Sequence, residues 1–218
     1  MGATKTSIIQ ATRAHAPFLA RTILAASRSH LPRGPFDFAL DLPDTELLTV
    51  IEHMALGNLV CNCHFTRFLV AEIAGTPVGA LAAFDPSEDG LPPMSAALLD
   101  ACGALGHGGQ KLATIAARIE ALERFFPRAA PGTWTIEWVA VVEPYRRRGI
   151  CGQLTDVILA EGAGRGCREA QISTYIGNDA ATAAYARSGF VAVREHRSVD
   201  LEDMLGVPGL WVMHRGLP

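Results

Sequence analysis

The chain has 218 residues, 49% of them hydrophobic and 19% charged, and a formal net charge of −3. This length and apolar content suit one domain with a sizeable core, and the mildly acidic balance excludes a protein that grips nucleic acid through a broad basic face. Five cysteines, Cys61, Cys63, Cys102, Cys151 and Cys167, are odd in number and too scattered to staple a small fold, which points to reduced thiols and a cytoplasmic address.

Met1 to Gln10 lacks the apolar run of a signal peptide, and no stretch approaches the roughly 18 apolar residues of a membrane helix, so no membrane partner is expected. No internal repeat marks a solenoid or propeller. Ser7 to Ala11 reads as a short strand, and His15 to His30 as a helix with Phe18, Leu19, Ile23 and Leu24 on one side, ended by LPRGP. Asp44 is placed to cap a second helix, whose Leu47, Leu48, Ile51 and Met54 or Ala55 form one stripe. RFLVAEIAG and VGALAAF then read as two strands joined by a tight turn at Gly75, Thr76 and Pro77.

The segment from Asp85 to Gly132 differs in character. It opens with PSEDGLPP, passes through GALGHGGQK and becomes helical, with Leu112, Ile115, Ile119, Leu122 and Phe126 stepping by three and four. That seam covers either its own domain or a second copy of the chain. Thr133 to Val142 follows as a long strand rich in β-branched and aromatic residues. Strict alternation puts Trp134, Ile136, Trp138, Ala140 and Val142 on one face, and Thr135, Glu137, Val139 and Val141 on the other. Glu137 is out of place in such a strand, since a buried carboxylate needs a partner; it reaches solvent in a cleft or pairs with a cation, or is an ordinary exposed strand residue.

After this strand comes RRRGICGQL, Arg146 to Leu154, and a helix from Gly152 to Leu159. A strand, a glycine-rich turn and a helix aim unpaired N–H groups and the positive end of a helix dipole at one point, which is a place for an anion. Glycine lets the backbone come close to it, and Arg146, Arg147 and Arg148 add charge-assisted contacts. Neither a P-loop, which needs G-x-x-x-x-G-K-[ST], nor the dinucleotide fingerprint G-x-G-x-x-G fits this spacing.

VVEPYRRRGICGQL resembles the acyl-CoA-binding motif of the GNAT acetyltransferase superfamily, V-x-P followed after a few residues by Q/R-x-x-G-x-G/A. Arg146 and Gly149 match; Cys151 stands where glycine or alanine is usual, with Gly152 beside it. QISTYIGNDAATAAYARSGF is similar to the family's later strand and helix, with Asn178, Ala181, Tyr185, Gly189 and Phe190 in register. The resemblance covers Trp134 to Val193, and the segment 85–132 looks like an insertion.

The resemblance implies an α/β fold of mixed α+β type, a central mixed twisted sheet flanked by helices with a helical insertion between the third and fourth strands, formed by residues 1–218 as a single domain. It implies acetyl-CoA as cosubstrate, its pantetheine lying between the strand that ends at Val142 and a parallel one from Ala170 to Ile176. The diphosphate would meet Arg146, Arg147, Arg148, Gly149, Ile150, Cys151 and Gly152, and Asn178 either contacts the pantetheine or only caps its helix.

The implied chemistry is direct attack of a primary amine on the thioester. A backbone N–H near Val142 stabilises the oxyanion, Glu137 is the candidate base, and Tyr185 meets the leaving sulfur. The acceptor is a small-molecule or peptide amine, its pocket shaped by LPRGPFD with Asp37 and by the insertion. A non-catalytic acyl-CoA-binding or regulatory module is the alternative. CNCH, Cys61 to His64, lacks the second half of a zinc site, no G-x-S-x-G nucleophile signature is present, and His107 reads as a loop residue.

Overall fold

The computed structural model describes residues 5–88 and 93–218; the part of PSEDGLPP at 89–92 lies outside them. Seven strands form one sheet in the order β1-β2-β3-β4-β5-β7-β6. β1 (Thr6–Gln10), β2 (Phe68–Ile73), β3 (Thr76–Phe84) and β4 (Thr133–Val141) run antiparallel to their neighbours. β5 (Glu169–Tyr175) is parallel to β4, and β7 (Gly209–Gly216) and β6 (Val191–Arg197) complete the sheet antiparallel. The mixed sheet, with helices between β3 and β4, is the expected architecture.

Each face of the sheet is covered by its own layer. One carries α1 (Ala16–Arg28), α2 (Pro35–Leu40), α3 (Asp44–Leu56), α4 (Met94–Ala104), α5 (Gly109–Glu123) and α8 (Val199–Leu205), with Leu19, Ile23, Phe36, Ile51, Leu98 and Ile115 in one apolar cluster. The other carries α6 (Ile150–Gly164) and α7 (Asp179–Arg187), with Leu154, Ile158 and Tyr185 packed on Trp134, Ile136 and Ile172. The α5 seam belongs to the first cluster: Ile115, Ile119 and Leu122 are buried in it, and Leu112 and Phe126 lean on it. It covers the chain's own core, and the dimer contact considered for it is not what these side chains form.

Three expectations change. The helix α2 was hidden in LPRGP, where Pro35 opens a new helix as its first residue instead of closing the old one. Asp44 is the first residue of α3 with Pro43 as its cap; its carboxylate instead takes Arg28, whose guanidinium also holds Asp37. The β2–β3 turn is Ala74–Gly75, both at positive φ (51° and 75°), and Thr76 and Pro77 already belong to β3.

Candidate active site

β4 departs from strict alternation at the place that matters. Ala80 opposes Ala140 and Ala82 opposes Glu137, so Trp138 and Val139 together oppose Leu81. Trp138 has φ 56°, and the extra residue is a β-bulge. Ile136, Val139 and Val141 therefore face the α6 layer, while Trp138 faces the α1–α3 layer. Glu137 and Trp138 share a face, which corrects the grouping of Trp138 with Trp134 and Ile136: a period of two cannot count a bulge.

On that face Glu137 meets no cation among the described residues. The Asn62 amide donates from Nδ2 to its Oε2 at 2.5 Å. Burial pushes the carboxyl from 4.5 up to about 7, and the Asn62 hydrogen bond works in the opposite direction. Beside it, the rings of Trp138 and Phe36 of α2 meet tilted at 41°, with centroids 5.9 Å apart.

β4 and β5 pair only from Thr133–Glu169 to Ile136–Ile172. Beyond Ile136 the two strands diverge, leaving one edge of β4 open. Val142 does not offer its N–H to this gap, because that group donates to the Val78 carbonyl at 2.8 Å and its own carbonyl accepts from Tyr145 N–H. Hydrogen-bonding direction alternates along an antiparallel strand, so the main-chain N–H that points into the gap is that of Val141. The expected donor is thus one residue earlier.

The turn then presents a row of amides. Gln153 N–H is the first of α6 to find a helical acceptor, the Gly149 carbonyl at 3.0 Å. Among the described residues no acceptor takes the N–H groups of Arg147, Arg148, Gly149, Ile150, Cys151 and Gly152. Arg147 and Gly149 hold the loop open at φ 60° and 79°, and only the second is cheap, since glycine has no Cβ to crowd the following carbonyl. The arginines divide: Arg146 turns its Nε back to the Val141 carbonyl at 2.9 Å, Arg148 lies 5.2 Å from the Tyr145 ring centroid, and Arg147 is exposed. Cys151 is half-buried and its thiol is pushed up by burial, so it is not a thiolate at neutral pH.

Facing this turn, Tyr185 is 7% exposed and packs edge-on against Phe190; burial, with Cys151 adding to it, raises its phenol well above the ordinary value. Asn178 caps α7, its Oδ1 accepting from Ala181 N–H at 3.1 Å, while its Nδ2 donates to Ser29 Oγ at 2.5 Å. The sheet thus brings the 147–152 amides, Tyr185 and Asn178 to the mouth of the gap, with Glu137 on the opposite face of β4.

Residues 42–190 match the family model described as acetyltransferase (GNAT) family. The chain belongs to this family. Among curated proteins none matches the sequence. Solved GNAT-type structures share the fold at low identity. One acetyltransferase has a TM-score of 0.67 at 19% identity, over 97% of this chain and 100% of its own. An N-acetyltransferase from Staphylococcus aureus Mu50 has 0.65 at 16%, over 97% and 100%. A mutant agmatine N-acetyltransferase in its apo form has 0.55 at 17%, over 97% and 99%. As a GNAT acetyltransferase the chain is an acyltransferase enzyme, and no helix among its described residues is long and apolar enough to cross a membrane.

Sequence reasoning missed Asn62. It lies 75 residues from Glu137, inside CNCH, where Cys61 and Cys63 are fully buried and hydrogen-bonded to each other and His64 turns to Thr66. No local pattern carries such a contact. Asp37, expected in the acceptor pocket, is spent on structure: its carboxylate accepts from Arg28 and from Gly34 N–H, and these contacts hold its pKa below the ordinary value although burial acts to raise it. A cleft of about 350 Å³ between α2, α5 and α8 is lined by Arg33, Phe38 and Arg118. Phe38 and the Phe36 that touches Trp138 point to opposite sides of α2, two residues apart on a helix, so α2 stands between this cleft and Glu137.

Proposed function

We propose that this GNAT enzyme moves an acetyl group from acetyl-CoA to a primary amine by direct attack on the thioester. The observation that carries this reading is the run of six unpaired N–H groups from Arg147 to Gly152, at the mouth of the gap between β4 and β5. Such a run with a helix dipole behind it fits a diphosphate. A Cβ at Gly152 would meet nothing within 4 Å beyond its own helix among the described residues, so packing within the protein does not demand a glycine there, whereas close approach of a phosphate does.

Arg147 and Arg148 add charge to this anion site, and Arg146 braces it through Val141. The pantetheine lies along the open edge of β4, with Asn178 at its far side. The Val141 N–H, in place of that of Val142, stabilises the charge that grows on the thioester oxygen, a contribution of about 3 kcal/mol from one such donor. The attacking amine loses its proton to Glu137, directly or through water; with its carboxyl near 7, that group is matched to work at neutral pH. Tyr185, its phenol raised by burial, remains protonated and donates a hydrogen bond to the departing thiolate. Full proton transfer is uphill, since even an unperturbed phenol is about 1.5 units weaker than a thiol.

Phe36 beside Trp138 supports contact between the α1–α2 segment and the acceptor. Residues 1–218 are read as one such domain with 85–132 as its insertion, and the five unpaired cysteines support a cytoplasmic setting. The test is release of coenzyme A thiol from acetyl-CoA across simple amines, polyamines, aminoglycosides, agmatine and short peptides. Turnover on one class, falling about 100-fold in Tyr185→Phe, is expected. Binding of acetyl-CoA without turnover on any amine favours a non-catalytic acyl-CoA module, and failure to bind it ends the proposal.

A further inference from the structure

The segment 57–64 between α3 and β2 reaches across to β4 and delivers a polar contact there, Asn62 Nδ2 to Glu137 Oε2 at 2.5 Å. Alternation from Ile136 already turns Glu137 toward this segment, and the bulge that follows sets Trp138 beside it on the same face. Two further polar atoms at the same place, Asn62 Oδ1 and Trp138 Nε1, are buried and have no partner among the described residues. A half-satisfied asparagine in a buried site is worse for folding than an apolar residue of the same size. Packing alone therefore does not account for Asn62; the donation to the carboxylate does.

We propose that Asn62 is a positioning residue for acetyl transfer, its amide fixing the Glu137 carboxylate on the Trp138 side of β4 and stabilising the ionised form that accepts the proton of the amine. This rests on the reading of Glu137 as base. Among the described residues, the other titratable groups on the elements packed around Glu137 are Cys61, Cys63 and His64 of the same segment, Arg21 and Arg28 of α1, Asp37 of α2, and Glu169 and Tyr175 of β5; His64 turns to Thr66 and Glu169 to His214. Cys63 is buried and its thiol is raised, first by burial and in part by Glu137 itself. Arg28 and Asp37 are engaged with each other, Arg21 is exposed, and burial raises the Tyr175 phenol so that it stays neutral. The Asn62 amide is the one neighbour that donates a hydrogen bond to the carboxylate among the described residues.

The experiment titrates the Glu137 carboxyl in the full chain by ¹³C NMR of protein labelled at the glutamate side chains, the signal assigned by its loss in Glu137→Gln. Asn62→Ala is expected to raise the midpoint by roughly one unit, because a hydrogen bond to a charged group is removed. The acid limb of kcat/KM, measured on acetyl-CoA with the panel amine that turns over best, should move by the same amount. Turnover at pH 7 then falls about fivefold and recovers above pH 9, with KM for acetyl-CoA unchanged. Asn62→Asp, which keeps the shape and loses the donor, should raise the midpoint further, and serves where the alanine variant fails to fold.

An unmoved midpoint in both variants overturns the proposal and leaves Glu137 as base untouched. A midpoint that moves while the acid limb does not, or while no panel amine is acetylated, means that Glu137 is not the base, and the positioning role falls with it.

Discussion

Burial on β4 favours the neutral form of the Glu137 carboxyl, and the Asn62 hydrogen bond favours the ionised one. The carboxyl's folded value, raised from 4.5 to about 7 by burial against the pull of Asn62, means that the folded protein holds the proton more tightly than the unfolded chain does. The contribution of Glu137 to stability is therefore fully present below 4.5, declines as pH climbs toward about 7 and is level above it. The ionised form that accepts a proton in the reaction is the one that folding disfavours. Glu137→Gln is expected to lose turnover at pH 8 and yet to be the more stable protein there, by an amount on the order of 2–3 kcal/mol that shrinks as pH is lowered. Thermal unfolding of both proteins at several pH values checks this, and a difference that does not change with pH would sink the assigned protonation state. The face parity of Glu137 was legible in the sequence up to Ile136. Its partner was not, because the amide that holds it arrives from a distant segment.

At the level of elements, α2 shows how one small residue sets the entrance to the site. A Cβ on Gly34 would sit 2.5 Å from the Ser27 carbonyl oxygen and 2.7 Å from its carbon, so the loop can turn against the end of α1 only with glycine there. That turn lets Arg28 hold Asp37 and Asp44 at once, tying α2 and α3 to α1, and brings Phe36 onto Trp138. Gly34→Ala is expected to cost about 1–3 kcal/mol and to lower Tm by several degrees, with acetyl-CoA affinity retained, since the 147–152 loop is built on the other layer. An unchanged Tm would show that α2 shifts freely. In the sequence LPRGP read as a stop because proline and glycine mark both ends and beginnings of helices, and only the carboxylate pairing with Arg28 decides which.

For the molecule as a whole, the two layers divide the labour: α6 and α7 present the amide row and Tyr185, and α1–α3 with the inserted α4 and α5 enclose the Glu137 side. The insertion is part of that core. Ile115 and Ile119 are 1% and 6% exposed, so changing both to serine should remove several kcal/mol of stability and leave the sedimentation coefficient of the folded protein unchanged. A shift to a smaller species without loss of Tm would instead place the seam in a contact between copies.

The sequence by itself determined the family, the order of the main strands and helices, the turn with its glycines, and the register of Asn178 and Tyr185, because each depends on neighbours within a few residues. The tertiary structure decided what depends on distant ones. Pairing with β3 placed the bulge that turned Trp138 to the Glu137 face and gave the Val142 N–H to Val78, so that by alternation the Val141 N–H points away from β3. The same packing brought Asn62 to Glu137 and took Asp37 for Arg28. Local periodicity records which side chains want burial, whereas hydrogen-bond partners across the sheet are chosen only when the strands meet.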